Sequence, residues 1–170
     1  MEQEKVKVSR RQFAEVLYYW LSKHVTEVKE TAKDLGVKIR NDQHLIKIFR
    51  ELCILHMWLI VHSCEEILKD EDKRNECLDI FHQLVYDHYI QKGEISFTNW
   101  MVQFAPIYAE YNKAMETEHP STPLWVVATV FNKRLFGEVW EDLGFQVKLI
   151  TRIGLSRIYL AKAIKQYDIE

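Results

Sequence analysis

Three histidines lie at positions from which their rings could meet in one site. Counting about 100° per residue, His24, His56 and His88 fall within the apolar stripes of three separate helical segments. Imidazoles that face one another across a helical bundle are typical ligands of metal ions and haem. The alternative is that each ring hydrogen-bonds to a carbonyl, a tyrosine or a carboxylate in the core. We expect no cofactor, and we keep a metal or haem site at these three residues as the alternative.

The last helical segment carries the clearest charge pattern. The basic residues that fall within one arc of it are Lys148, Arg152, Lys162 and Lys165. No acidic residue occurs between Asp142 and Asp168. Such a stripe fits an acidic protein partner, RNA or a membrane surface, and the alternative is a solvated face without a partner.

Arg157 lies on the opposite side of the same segment, among apolar residues such as Ile153 and Leu160. A buried guanidinium needs a carboxylate or another anion beside it. We therefore expect a structural ion pair at Arg157, with a bound anionic ligand as the alternative.

No motif in the chain specifies a reaction. His62 and Glu66 lie one helical turn apart and could act as a base with its orienting carboxylate, or simply form part of a solvated helix face. The sequence contains no glycine-rich phosphate loop, nucleophile elbow, zincin motif or cysteine cluster. We therefore assign no catalytic residue and favour a binding function over an enzymatic one.

The segment Arg50-Glu-Leu-Cys-Ile-Leu-His56 resembles the arginine, polar residue, histidine motif of the HEPN family of helical ribonucleases and nucleotidyl-transfer partners. The resemblance covers these seven residues and implies an activity on RNA. His56 lies in the most apolar segment of the chain, which places it poorly for contact with RNA. A HEPN-like ribonuclease is therefore kept as an alternative function.

Two further resemblances concern binding. Ala32-Lys-Asp-Leu-Gly36-Val resembles the turn of a DNA-binding helix-turn-helix, which implies a nucleic-acid-binding protein. Asp42 stands where that motif needs an apolar residue, so nucleic acid is the disfavoured partner. The stretches Glu51-Leu-Cys-Ile-Leu-His-Met-Trp-Leu-Ile and Phe131-Asn-Lys-Arg-Leu-Phe are similar to helical chaperones that assist assembly of ubiquinol–cytochrome c reductase. That resemblance implies a partner-binding, non-catalytic role.

Six segments with helical periodicity position these residues and predict an all-α bundle that forms a single domain over residues 1–170. The predicted helices span about 10–35, 42–69, 71–93, 97–115, 123–144 and 147–167. Their start and stop signals are a capping box at Ser9 and Gln12, caps at Ser96 and Thr122, Pro123 in a first turn, and glycines at 36, 93 and 144. The second segment is apolar on nearly every side from Leu52 to Val61, so we expect it at the centre. Pro106 predicts a kink in the fourth.

Composition favours a folded protein of a reducing compartment. The chain has 170 residues, of which 48% are hydrophobic, and its formal charge of −2 gives no general attraction for nucleic acid. Cys53, Cys64 and Cys77 lack the spacing of zinc or redox sites and fit buried free thiols. We find neither a signal-peptide pattern nor an apolar run of membrane-spanning length, so we expect a cytoplasmic protein without stable membrane insertion.

Aromatic residues are more numerous than a minimal helical bundle requires, with 5 Trp, 8 Tyr and 8 Phe. Core packing accounts for most of them, and the remainder fit an interface or a pocket. Together these patterns predict a cytoplasmic, non-catalytic helical binding or assembly module. We expect it to bind a protein partner or a small ligand, or to form a homo-oligomer.

Overall fold

Seven α-helices and one pair of short strands make up residues 5–90 and 95–170, the part of the chain that the computed structural model describes. The helices are α1 (Arg10–Val25), α2 (Val28–Leu35), α3 (Asp42–Ile67), α4 (Glu71–Tyr89), α5 (Phe97–Glu116), α6 (Pro123–Phe136) and α7 (Leu143–Ile164). The strands are β1 (Val6–Val8) and β2 (Tyr167–Ile169). The predicted all-α bundle is confirmed, with one more helix than the six expected.

Helix α3 lies at the centre of the bundle, as its apolar sequence predicts. It contacts each of the other six helices. Every residue from Glu51 to Ile60 is buried, and Trp58 is among the largest fully buried side chains. A helix that is apolar on all sides is stable only when other elements cover every face, and the six surrounding helices do so.

Side-chain caps begin the helices where the sequence predicts them. Ser9 and Gln12 form the expected capping box at the start of α1, and the Ser96 side chain accepts from the amide of Asn99 at the start of α5. Thr122 caps α6, and Pro123 occupies its first turn. These oxygens satisfy amides that have no partner within the helix, which fixes the residue at which each helix begins.

The first predicted helix, 10–35, is two helices instead of one. α1 ends at Val25, and the Thr26 side chain donates to the carbonyl of Ser22 at 2.6 Å. Glu27 then adopts φ −95° and ψ 47°, which is outside the helical region, before α2 begins at Val28. The bend turns α2 onto α3 and α7, where Ala32 and Leu35 are buried.

Gly144 does not end the fifth predicted helix, because α6 already ends at Phe136. Gly137 follows with φ 84°, the left-handed conformation that favours glycine, and Gly144 lies in the first turn of α7. The loop between the two helices is fixed by the buried amide of Asn132, which donates to the carbonyl of Trp140 and accepts from its amide. Asp142 then caps α7, which therefore begins four residues earlier than predicted.

Two glycine variants should shift stability in opposite directions. Gly137→Ala is expected to lower the free energy of unfolding by about 1 kcal/mol, because alanine strains the left-handed backbone. Gly154→Ala in the interior of α7 is expected to raise it by up to about 1 kcal/mol, since the new Cβ would lie an ordinary 3.5 Å from Leu124. Urea unfolding of both variants measures the difference, and a stabilising Gly137→Ala would contradict the assigned cap.

The last predicted helix, 147–167, is shorter at its end, because α7 stops at Ile164 and residues 167–169 form β2. β2 pairs in parallel with β1, with Val6 opposite Tyr167 and Val8 opposite Ile169. Lys73 donates to the carbonyl of Ile169 at 2.7 Å and so ties β2 to α4. Strands of three residues are too short for an alternating pattern to reveal them in the sequence.

The other boundaries agree with the predictions to within a few residues. α4 begins after its Asp70 cap and ends at Tyr89, whereas Gly93, its predicted stop, lies outside the described residues. α5 continues through Pro106. None of the helices in the described ranges is long and apolar enough to span a bilayer.

Candidate functional site

The structure brings two of the three predicted histidines together. The ring centroids of His24 on α1 and His56 on α3 lie 5.3 Å apart, and Trp20 stacks on His24 at 3.9 Å. Nδ1 of His24 donates to the Trp20 carbonyl at 2.8 Å, and Nδ1 of His56 donates to the Leu52 carbonyl at the same distance. Because a carbonyl oxygen can only accept, the proton of each neutral ring lies on Nδ1.

Burial sets the protonation state of this pair. Burial, together with smaller contributions from the neighbouring His24 and Arg152, lowers the pKa of His56 to about 3. It also lowers the pKa of His24, again with a contribution from Arg152. Removing an imidazolium from water is unfavourable, so both rings are neutral at pH 7.

His88 does not join the other two. It has the helical phase of the buried stripe, but it lies in the last turn of α4, where its ring is exposed and packs 4.7 Å from Tyr18. Tyr18 and His24 point about 120° apart around α1 and are more than one turn apart along it, so a ring packed on Tyr18 lies away from His24. The buried histidine of α4 is instead His82, which bonds to the Leu78 carbonyl and the Tyr108 hydroxyl.

A metal site at the three histidines therefore has only two of its predicted ligands in contact. Within residues 5–90 and 95–170, no group of three or more His, Cys, Asp or Glu side chains is placed to hold a metal ion. Arg152 acts on both rings, and its positive charge would oppose a metal ion bound there.

A groove of about 500 Å³ lies beside His24, between α1, α2 and α7. Its polar side chains include His24, Asp34, Arg152 and Ser156. The apolar side chains that line it are Leu35, Val147, Leu155 and Tyr159. We call this cavity the α2–α7 groove.

Arg152 turns into this groove and away from the predicted basic surface. Its Nη2 donates to Thr31 Oγ1 on α2 at 3.0 Å, while its buried Nε has no hydrogen-bond partner in the described part of the chain. Burial lowers the pKa of Arg152, and Asp34 and Glu27 oppose that shift. The three lysines predicted with it are exposed, Lys148 and Lys162 on α7 and Lys165 at the residue that caps its end.

Apolar side chains are exposed among those lysines, a feature that the sequence pattern does not predict. Ten large hydrophobic residues of the described chain are exposed, and five of them belong to α7. They are Leu143 (66%), Val147 (50%), Leu155 (48%), Ile158 (53%) and Tyr159 (60%). Together with Lys148, Lys162 and Lys165 they form what we call the α7 face.

Arg157 makes the predicted ion pair, although it is only partly buried. Its Nη2 lies 2.5 Å from Glu66 Oε1, and His62 Nε2 lies 3.5 Å from the same oxygen. Trp58 stacks on the His62 ring, and burial lowers the pKa of His62 while Glu66 opposes the shift. Glu66 thus joins α3 to α7, and this arrangement accounts for the His62–Glu66 spacing.

The two segments that resemble nucleic-acid-binding proteins lie mostly inside the bundle. Arg50 is exposed, whereas His56, six residues later, is only 1% exposed and lies behind His24. Gly36 ends α2 in the left-handed conformation, as a helix-turn-helix would, but α3 continues directly into the buried centre of the bundle. Neither His56 nor the buried part of α3 presents a surface to a nucleic acid.

A buried ion pair on the other side of α3 was not predicted. Glu51 accepts from Arg134 Nε at 2.8 Å and Nη2 at 3.4 Å, and Glu110 lies 3.7 Å from Arg134 Nη1. Glu51 is only 6% exposed, so it joins α3 to α6 in a region that water hardly reaches. The sequence feature that could have indicated this ion pair is the position of Glu51 at the edge of the apolar run of α3.

The candidate sites are therefore the α2–α7 groove and the α7 face beside it. The groove combines a partly buried cation with an apolar wall, and the face combines exposed hydrophobic side chains with lysines. Comparison of the chain with protein-family models, with curated proteins and with solved structures gave no significant match.

Proposed function

We propose that this protein is a non-catalytic binding module that docks an acidic, partly apolar segment of another protein on the α7 face. The observation that carries the proposal is the concentration of exposed hydrophobic residues on one helix. Five of the ten in the described chain lie on α7, within about 160° around its axis. Clustered exposed apolar side chains are typical of interaction sites, whereas scattered ones are ordinary.

The charge of the α7 face favours an acidic partner. Lys148, Lys162 and Lys165 lie in the same arc as the apolar side chains, and the chain has no acidic residue between Asp142 and Asp168. Complementary charge orients a partner and speeds its association, while the apolar side chains supply most of the affinity.

The same lysines argue against pairing of two copies through this face. A two-fold pair places the same surface of each copy against the other, so two positively charged faces would be brought together. Like charges in contact are unfavourable. We therefore do not propose a second copy of this chain as the partner of the α7 face. The isolated protein is expected to be a monomer when its mass is measured by light scattering.

The states of the reactive side chains support a binding role over catalysis. Burial raises the pKa of Cys53 and Cys64 to about 12, which keeps both thiols protonated and unreactive. His56 and His82 are buried, and each commits Nδ1 to a backbone carbonyl. These side chains are fully explained by their packing.

A photo-crosslinking experiment tests the proposal. The crosslinking amino acid p-benzoylphenylalanine at position 158 is expected to capture an acidic polypeptide in cells that express the protein, and the same probe at position 102 is not. Val102 is a matched control because it is at least as exposed as Ile158, at 65% against 53%, but lies on α5. Leu155→Glu is expected to lower the yield from position 158 about tenfold, because it places a carboxylate in the apolar contact.

Two outcomes would contradict the proposal. Equal crosslinking from positions 158 and 102 would show that the α7 face is not a preferred surface. A crosslink from position 158 to a second copy, with a dimer in light scattering that Ile158→Glu dissociates, would assign the face to self-association.

A further inference from the structure

We infer that the α2–α7 groove binds small amphipathic carboxylates, with Arg152 holding the carboxylate and the apolar wall holding the hydrocarbon part. This site goes beyond partner docking and does not depend on it. The α7 face contributes Val147, Leu155 and Tyr159 to the groove wall, while Ile158 belongs to the face alone and Arg152 to the groove alone. The two proposals can therefore be tested with different variants.

The size and lining of the groove suit a small organic ligand. Its volume of about 500 Å³ falls within the range of small-molecule sites, roughly 300–1,000 Å³. Leu35 on α2 and Leu155 on α7 stand on opposite helices, so a hydrocarbon chain between them would lose contact with water on both sides. The other apolar residues of the wall are Val147 and Tyr159, and the remaining six lining side chains are polar or charged.

Arg152 is a cation whose hydrogen bonding is incomplete. Thr31 Oγ1, a neutral acceptor, takes one of its hydrogen bonds, and Nε is buried without a partner in the described chain. No carboxylate of the described residues lies within the 4.0 Å of an ion pair with this guanidinium. Asp34 and Glu27 act on this guanidinium only from beyond ion-pair distance, and a bound carboxylate would supply the direct pair that it lacks.

The neighbouring charges favour one anionic group and no more. Lys148 adds a second cation at the exposed side of the groove, and Asp34 on α2 adds a negative charge there. His24 contributes no charge at pH 7, because burial lowers its pKa. A monocarboxylate therefore matches the balance of charge better than a ligand with several negative groups.

The geometry of the donors favours a carboxylate over a phosphate group. The planar guanidinium of a single arginine matches the two oxygens of a carboxylate, whereas phosphate sites usually combine several cations with the amides of a helix start. The start of α7 is already occupied, since the Asp142 side chain accepts from the Phe145 amide. The groove offers one guanidinium and an apolar wall, which is the complement of an alkyl carboxylate.

Isothermal titration calorimetry of the protein with decanoate and with 1-decanol at pH 7 tests the inference. Decanoate is expected to bind at a single site, and the uncharged alcohol at least about tenfold more weakly, because it lacks the charge that Arg152 pairs with. Arg152→Gln is expected to weaken decanoate binding by a similar factor and to leave decanol unchanged. Arg11→Gln is the matched control, since Arg11 is exposed on α1 and faces Glu15.

A measurement on the unaltered protein keeps the test decisive if Arg152→Gln does not fold. Amide chemical shifts in the presence of decanoate are expected to change at residues of α2 and α7 that line the groove. Equal affinities for decanoate and decanol would overturn the inference. So would the absence of binding, or shift changes confined to the cavity of about 530 Å³ beside Phe49 and Trp100.

Failure of this site leaves the proposed docking function standing, and the reverse also holds. With the crosslinking amino acid moved to position 143 of the α7 face, Ile158→Glu is expected to abolish crosslinking and to leave decanoate binding unchanged. Arg152→Gln is expected to do the opposite. Loss of both activities in both variants would contradict the separation of the two sites.

Discussion

Arg134→Met is expected to lower the free energy of unfolding by about 3–5 kcal/mol, one of the two largest effects anticipated for this protein. Arg134 makes two hydrogen bonds to the carboxylate of Glu51, at 2.8 and 3.4 Å. Glu51 is 6% exposed, so loss of the guanidinium leaves its negative charge with little water to stabilise it. Glu110, which also lies near Arg134, adds repulsion once the cation is removed.

Urea unfolding of single and double variants separates this effect from a change in packing. The double variant Glu51→Leu with Arg134→Met is expected to recover most of the lost stability, because neither charge is then buried. Arg11→Met is a control in which an exposed arginine with its own glutamate partner is replaced, and its effect is expected to stay below about 1 kcal/mol. A double variant as unstable as Arg134→Met would contradict the explanation.

Acidification from pH 7 to pH 5 is expected to destabilise the fold. Burial lowers the pKa of His56 to about 3 in the folded protein, whereas an unfolded histidine has a pKa of 6.5. Below pH 6.5 the unfolded chain therefore binds a proton that the folded chain does not, and stability is lost as the pH falls from 6.5 towards 3. Linkage for this one ring gives a loss of about 2 kcal/mol between pH 7 and pH 5.

The groups around His56 strengthen this pH dependence. His24 and Arg152 both disfavour a proton on the His56 ring. Burial also lowers the pKa of His24 and His82, so protonation of each acts in the same direction. The hydrogen bond from His56 to the Leu52 carbonyl raises the pKa of the ring, but by less than burial lowers it.

Stability measured at several pH values checks this expectation. His56→Asn keeps a donor for the Leu52 carbonyl but removes the titrating ring, so its loss of stability between pH 7 and pH 5 is expected to be about 2 kcal/mol smaller. His88→Asn is the matched control, because that ring is exposed on the last turn of α4. Equal pH slopes for the unaltered protein and His56→Asn would show that another group causes the acid sensitivity.

The parts of the fold that the sequence predicts are those governed by local chemistry. Ser9, Ser96 and Thr122 cap helices where expected because each satisfies amides within three residues of itself. The break after Val25 was missed because the apolar stripe of α1 continues in phase to Val28, and only the backbone of Glu27 departs from the helix. Gly144 looks like the end of a helix in the sequence because the hydrogen bonds from Asn132 to Trp140, eight residues later, cannot be inferred from helical periodicity.

The missed break also explains why the groove was not predicted. A single helix over 10–35 would carry Asp34 and Leu35 away from α7, whereas the bend at Glu27 brings α2 back to form one wall. Thr31 then meets Arg152, which draws that side chain off the predicted basic surface. Helical phase correctly gave the inward faces of His24 and His56, but it does not state which helices are neighbours, and so it grouped His88 with them.

The pairing of β1 with β2 determines how the protein should respond to mechanical force. Because the two strands are parallel, a pull applied outward through Lys5 and Glu170 acts along the strands in opposite directions. The bonds from Val6 to Gln166 and from Glu170 to Val8 are then loaded in shear and share the force, instead of opening one after another. The strand pair is thus the element that a pulling experiment would have to rupture before any helix begins to unravel.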